Sequence, residues 1–344
     1  MSGYSSHHFH DSVPADIGKI LPSDRARFFH YTDSLSALSM LSRYNITDDK
    51  EANAFVGWEE TYLKLWATHF CYLNDSKELI SGLESFLSKL EEFRANRVVA
   101  KNKYDSIRND INDLISSARD KSCVRKMAYY PLSFCEDGNL LSQWKWYGKQ
   151  GGVAIEYDLK NCRFLGNKMY KNKIPSEGII YDILYKPDDQ KEIYGKYIDA
   201  RHRFWKSDKI LDNVAEEVCL LSLFMKDQSF MEEAESRLLF VVTIPNSPKD
   251  LMPLLRFRKK GSDIVPYIEA RVYKNSGIQT PVRSITIGPG ENQSLVFEAF
   301  YQFVLCNFPP LDQGSEGNKS MVDGCDCIRV HGIDLRRSTT PFRS

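Results

Sequence analysis

The run Glu232-Glu233-Ala234-Glu235-Ser236-Arg237 places two carboxylates and a cation at alternate positions, directly before the β-like stretch Leu238-Leu239-Phe240-Val241-Val242. At the mouth of a strand, residues two apart point to one side of the sheet, so Glu233, Glu235 and Arg237 would share a face. Carboxylates aligned beside a cation can split their pKa values and divide acid, base and hydrogen-bonding roles. The plain alternative is a solvated acidic face.

Three further clusters could join them. His30-Tyr31-Thr32 closes a predicted strand, where a side chain is held rigidly beside a cleft; otherwise such a His is a satisfied core residue. Asn74-Asp75-x-x-Glu78 reads first as a turn and a helix start, with Glu78 favouring the positive end of the helix dipole. Ser133-Phe134-Cys135-Glu136-Asp137-Gly138 is followed by Leu140-Leu141-Ser142-Gln143-Trp144-Lys145-Trp146-Tyr147-Gly148, with two tryptophans and a tyrosine within four positions. Aromatics this dense fill cores, or make flat walls on which a base or a nicotinamide ring stacks.

Bases gather in Arg201-His202-Arg203 and in Arg256-Phe257-Arg258-Lys259-Lys260. Solvated surface is their default; phosphate recognition is the sharper reading, because Arg presents a planar fork to phosphate oxygens. Gly288-Pro289-Gly290 before a helix reads as a turn, or as free N–H groups offered to an anion. Cys325-Asp326-Cys327 with His331 supplies three metal ligands without a second paired module, so a strand with ordinary thiols is preferred and no metal is expected.

Elements must hold these groups in place. Short β-like runs are expected at Phe28–Thr32, Leu65–Phe70, Tyr129–Cys135, Gly152–Tyr157, Gly178–Leu184, Arg237–Ile244, Tyr267–Tyr273, Arg283–Ile287 and around Ile328–Val330. Helical spacing behind Ser34, read as an N-cap, marks Leu35, Leu38 and Leu41. It recurs over Leu79 to Phe93 and Ile107 to Ile115 as an α-hairpin inserted between strands, and over Ile193–Lys206, Asp212–Met225 and Ser294–Cys306. The order is mixed, so a doubly wound nucleotide fold is disfavoured. The expected class is α+β with mixed, mainly antiparallel sheets: a loose leader over 1–25, one domain over 26–336 with a helical insertion at about 77–128, and a tail over 337–344.

The 46 basic and 46 acidic residues cancel, which disfavours a protein that coats nucleic acid by bulk electrostatics. No apolar run approaches the ~18 residues of a membrane span. The eight cysteines are scattered, as suits reduced thiols and a cytoplasmic location. GxGxxG, a phosphate loop, HExxH and GxSxG are all missing from the sequence.

The succession Phe29-His30-Tyr31-Thr32, Asn74-Asp75-x-x-Glu78, Ser133-Phe134-Cys135-Glu136, Leu140-Leu141-Ser142-Gln143-Trp144-x-x-Tyr147-Gly148, Glu233-x-Glu235-x-Arg237 and Ile285-x-Ile287-Gly288-Pro289 resembles the bacterial domain-of-unknown-function 2971 family, from about Phe28 to about Arg336. Cys135 stands where that family usually has Ser, and Ser236 where it has Trp. The family's strand-borne His, its serine segment and its Glu-x-Glu are in turn similar to the spaced elements of ADP-ribosyltransferases, which cleave the nicotinamide glycosidic bond of NAD. The resemblance implies an ADP-ribosyltransferase-like core with NAD as co-substrate and no metal. His30, with Tyr31 and Thr32, would orient the ribose; Ser133 would support the cleft; Trp144 or Tyr147 would stack the nicotinamide; Glu235 would bond the ribose hydroxyl; Glu233 would meet the acceptor; and Arg237 would complete the nucleotide site. The acceptor would be a protein or a nucleic acid. The setting would be a bacterial toxin or anti-phage defence effector, with an antitoxin or defence-system partner and no membrane.

Two rivals keep the same residues. One is a non-catalytic nucleotide-sensing or partner-binding module of a bacterial conflict system. The other is a nuclease using the acids with a divalent metal.

Overall fold

The computed structural model describes residues 23, 25–42, 63–73, 77–96, 101–120, 129–147, 151–160, 162–166, 178–204, 214–242, 255–260, 262–274, 280–308 and 327–341. The Asn74-Asp75-Ser76 turn, Cys325-Asp326 and nearly all of the expected leader lie outside them.

The chain adopts the expected α+β architecture in three open sheets. The largest orders β1 (Phe28–Thr32), β4 (Val153–Tyr157), β10 (Val282–Ile287), β12 (Ile333–Arg337) and β11 (Cys327–Val330); its pairs are antiparallel except β10 with β12. A second sheet sets β9 (Asp263–Lys274) against β2 (Leu63–Thr68), β5 (Cys162–Gly166) and β8 (Arg256–Lys260), all antiparallel. The third orders β3 (Tyr129–Phe134), β7 (Ser236–Val241) and β6 (Ile179–Asp182), also antiparallel. β5, β8 and β12 had no strand reading in the sequence, because their alternation is short or carried by charged residues. The β11–β12 turn has His331 and Gly332 at φ 49° and 81°, the conformation a two-residue hairpin needs. His331 also turns Nδ1 onto the Phe308 carbonyl at 2.6 Å, so it is a turn residue.

Strand alternation in β7 divides the molecule. Leu238 and Phe240 enter a core shared with the other two sheets, where Ile155, Ile285, Leu335 and Phe297 are buried. Leu239 and Val241 face the helices. Ser133 pairs with Arg237 across the β3–β7 ladder. Arg237 has the same parity as Leu239, so a charge is directed toward the helical half.

That half is built from α2 (Glu78–Asn96), α3 (Lys101–Arg119), α5 (Pro187–Phe204) and α6 (Val214–Ser222). Leu79, Leu83, Phe86 and Leu90 recur at three- and four-residue spacing and bury one stripe of α2; Tyr104, Ile107, Ile111 and Ile115 do so on α3. At about 1.5–3 kcal/mol for each large apolar side chain, these stripes drive the helices onto the sheet. Gly82 lets α2 approach α6, since a Cβ there would stand 2.6 Å from that of Ser222. Tyr194 of α5 donates to the Gly82 carbonyl at 2.9 Å, joining three helices. The hairpin expected as an insertion is therefore one wall of a second core. α6 ends at Ser222, three residues short of its expected end, and Met225 forms a parallel bridge with Leu184.

α1 (Ser34–Leu41) is capped by Asp33 and not by Ser34: Asp33 accepts from the Ser36 N–H at 2.8 Å, while the Ser34 hydroxyl donates to Gly151. The remaining α-helices among the described residues are the short α4 (Leu141–Tyr147) and the longer α7 (Gln293–Asn307). The expected tail continues in order to residue 341, with Ser338 and Thr340 both bonded to Asn139.

Candidate functional site

A cleft of about 720 Å³ opens where β1, β3 and β7 meet the start of α2 and the β8–β9 hairpin. His30, Ser133, Tyr147, Glu233, Glu235 and Arg237 all line it, drawn from segments far apart in the chain.

Arg237 is the anchor of its acidic wall, with a side chain 2% exposed. Its Nε donates to Glu235 Oε1 at 2.6 Å and its Nη2 to Glu235 Oε2 at 3.1 Å, a bidentate pair. Nη2 also reaches Glu78 Oε2 at 2.6 Å, and Nη1 the Leu223 carbonyl at 2.7 Å. Lys226 closes the network: its Nζ lies 2.6 Å from Glu233, 3.0 Å from Glu235 and 3.2 Å from Glu78. Three N–H donors meet three carboxylates. The cluster sets three acids against two cations.

The two sequence-singled acids are unequal. Burial alone would raise the Glu235 carboxyl, but Arg237, Lys226 and a hydrogen bond from the Ser133 hydroxyl outweigh it and hold it at about 2. Four donors fill the roughly four lone-pair sites of that carboxylate. Glu233 is raised by burial, against the pull of Lys226. Its side chain is 14% exposed, and Oε1 carries no hydrogen bond among the described residues. Glu233 is the acid with room for a ligand.

The expected alignment of Glu233, Glu235 and Arg237 along one strand holds only for the last two. Glu233 ends a 3-10 turn (Gln228–Glu233), and Ala234 takes a left-handed conformation, φ 40° and ψ 54°, before the strand starts at Ser236. That break ends the alternation, and Lys226 reunites the two acids through charge.

His30 turns Nδ1 onto the Ser133 carbonyl at 3.0 Å. A carbonyl only accepts, so Nδ1 carries the proton. Burial is the main reason the imidazole is pushed down to about 4, so it is neutral near pH 7 and Nε2 keeps a free lone pair. Tyr31 is committed to the fold: its hydroxyl donates to the Asp137 carbonyl at 2.9 Å and accepts the Leu140 N–H at 2.8 Å. Thr32 is buried at the cleft wall.

Trp144 corrects the sequence reading. It is 3% exposed, packs edge-on against Tyr31 at 4.8 Å and donates from Nε1 to Asn139 at 3.0 Å, in a small core behind the cleft. A seven-residue helix separates the two tryptophans by two positions and so points them apart; Trp146, 74% exposed, is the one on the cleft, beside Tyr147. Cys135 is buried with its thiol pushed up by desolvation, which disfavours a thiolate nucleophile.

The lining also includes Arg258, Lys259 and Lys260 of β8, with Arg258 over the Trp66 ring. In the other basic group, Arg201 is structural: it pairs with the buried Glu217. The Gly288 N–H is spent on the Gly152 carbonyl at 2.8 Å, which leaves Gly288-Pro289-Gly290 a turn.

Residues 143–238 match the family described as Protein of unknown function (DUF2971). The matched stretch runs from α4 to β7, a shorter span than the 28–336 over which the motifs succeed one another. Within the matched segment lie Tyr147, Lys226, Glu233, Glu235 and Arg237; His30, Glu78, Ser133 and Arg258 lie outside it. No curated protein and no solved structure matches the chain. Among the described residues no helix is long and apolar enough to cross a membrane, and no group of His, Cys, Asp and Glu has metal-site geometry.

Sequence reasoning missed Lys226 altogether, because a single Lys between a helix and a turn has no distinguishing spacing. Glu78 carried a signal in its motif but was read as a helix start. Trp66 and Tyr72, which also line the cleft, had no motif at all.

Proposed function

We propose that the cleft binds NAD, breaks its nicotinamide–ribose bond and transfers ADP-ribose to a nucleophile on a macromolecule. The supporting observation is that His30, Ser133, Tyr147 and Glu233 share one cleft whose lining also carries the bases Arg258, Lys259 and Lys260. A volume of about 720 Å³ suits a nucleotide-sized ligand.

In this reading the C1′–N bond breaks with its electron pair leaving on nicotinamide, which departs neutral. The ribose becomes cation-like, and an ionised carboxylate beside it stabilises that charge more than the ground state. Glu233 takes this place, because its Oε1 is unoccupied; it then accepts the proton that the acceptor loses as its new bond to C1′ forms. His30 Nε2 accepts from a ribose hydroxyl. Tyr147 and Trp146 flank the ring. Glu235 acts through Lys226, holding Glu233 at the cleft. In a bacterial host such an enzyme would behave as a toxin or anti-phage defence effector.

The test is nicotinamide release from NAD by the full chain with a macromolecular fraction supplied. Glu233→Gln should lower the rate at least ~100-fold. An inert wild-type chain, or a Glu233→Gln variant with the wild-type rate, defeats the proposal.

The saturation of Glu235 favours one alternative, a nucleotide-binding module without turnover, which predicts NAD binding and no nicotinamide. The metal-nuclease reading is weaker, since Lys226 Nζ occupies the point on which Glu78, Glu233 and Glu235 converge.

A further inference from the structure

Arg258 differs from the other buried cations of the cleft. Arg237 and Lys226 are matched by carboxylates. Arg258 makes no ion pair among the described residues, and its Nε is buried without a hydrogen-bond partner. Asp33, the acid whose charge it feels most, has both carboxylate oxygens engaged by the Ser36 N–H and hydroxyl at 2.8 and 2.7 Å.

The guanidinium is nonetheless oriented. Nη2 donates to Thr68 Oγ1 at 2.9 Å, and the group lies 5.4 Å from the Trp66 ring and 5.8 Å from that of Tyr267, both cation–π distances. Lys259 and Lys260 line the same wall, and Lys260 Nζ is 3.5 Å from the Tyr72 carbonyl. β8 is an edge strand bonded only to β9, which brings this run of bases to the cleft. A fixed fork with an unmatched N–H and two lysines beside it forms a receptor for a compact multivalent anion.

The geometry points to a phosphoryl-binding subsite centred on Arg258, completed by Lys259 and Lys260 and roofed by Trp66, that takes a phosphate or diphosphate group. It lies in the cleft assigned to NAD but requires no bond cleavage, so it stands apart from the transferase reading. A free polyphosphate and the diphosphate of a nucleotide present the same oxygens to it.

Calorimetric titration of the full chain with inorganic pyrophosphate, ADP and adenosine at low salt tests the site. Pyrophosphate and ADP should bind and adenosine should be at least ten-fold weaker than ADP. ADP much tighter than pyrophosphate identifies the nucleotide as the source of the group; equal affinities identify free polyphosphate. Arg258→Gln should weaken pyrophosphate at least ten-fold, and Thr68→Val, which frees the fork, several-fold. Arg283→Gln, which removes an arginine that pairs with Asp158 and does not line the cleft, should change nothing. A melting transition checks that each variant is folded, and Thr68→Val carries the test should Arg258→Gln fail to fold. No pyrophosphate binding by the wild-type chain, or unchanged binding in folded Arg258→Gln or Thr68→Val, overturns the subsite. Pyrophosphate binding without nicotinamide release supports the subsite while defeating the transferase.

Discussion

The Arg237 guanidinium donates to Glu78, 159 residues earlier in the chain, at 2.6 Å. This contact ties the first turn of α2 to the start of β7 and makes the helical half part of the site. With Lys226 as second cation, it lets Glu78 and Glu235 be buried, and Glu233 partly buried, beside one cleft, an arrangement whose cost would be prohibitive without matched partners.

The network should therefore be fragile in one direction. Arg237→Met, which leaves Glu78 and Glu235 buried beside Lys226 alone, should cost about 3–5 kcal/mol in urea unfolding. Glu233→Gln removes the acid in excess and should stay within about 1 kcal/mol of wild type. Equal losses in the two variants would contradict the charge count.

Acid should reveal Glu235. Its carboxyl is depressed in the folded state, from an ordinary 4.5 to about 2. The stability it contributes is thus complete above about pH 4.5 and is lost as pH falls toward 2. Glu235→Gln should flatten the urea midpoint across that window; an unchanged slope would count against the pairing. Glu233, raised in the folded state, contributes in the opposite sense, its cost easing as it takes up a proton.

His30 should stay neutral and carry its proton on Nδ1. Because its folded pKa is lowered from 6.5 to about 4, the stability it contributes is present above 6.5 and fades as pH falls toward 4. Long-range nitrogen–proton spectra of the imidazole should show no titration between pH 8 and 5.5. A midpoint near 6.5 would place the ring in solvent.

Ala234 should be improvable. A non-glycine residue at φ 40° costs roughly 1–2 kcal/mol, against ~0.5–1 for the added freedom of glycine in the unfolded chain. Ala234→Gly should raise stability by about 0.5–1 kcal/mol, read as a higher melting temperature. A lower one would mean that Ala234 makes packing contacts worth more than the relief.

The two tryptophans should separate cleanly. Trp144→Ala should cost about 3–5 kcal/mol of stability through the cavity it leaves. Trp146→Ala should leave the unfolding midpoint alone and weaken nucleotide binding, as measured by calorimetry. Reversal of the two effects would put Trp144 back at the ligand.

Much of the fold was legible because it is local. The apolar stripe of α2 and the β-branched and aromatic runs of β1, β4, β7 and β10 carry their periods in the sequence, and the elements formed within a few residues of expectation. Strands such as β8, with four cations in five positions, were not legible as strands, because pairing with β9 and not its own pattern holds it. Parity errors were equally physical: one left-handed residue, Ala234, takes Glu233 out of the strand.

By itself, then, the sequence determined the α+β class, the helical and strand periods, and which segments carry His30, Ser133, Tyr147, Glu235 and Arg237. Tertiary structure alone decided that Glu78 and Lys226 join the acids, that Trp146 replaces Trp144 at the cleft, and that Arg258 makes no ion pair among the described residues. The reason is that periodicity is written in neighbouring residues, whereas the energy of a buried charge depends on which partners arrive from elsewhere in the chain.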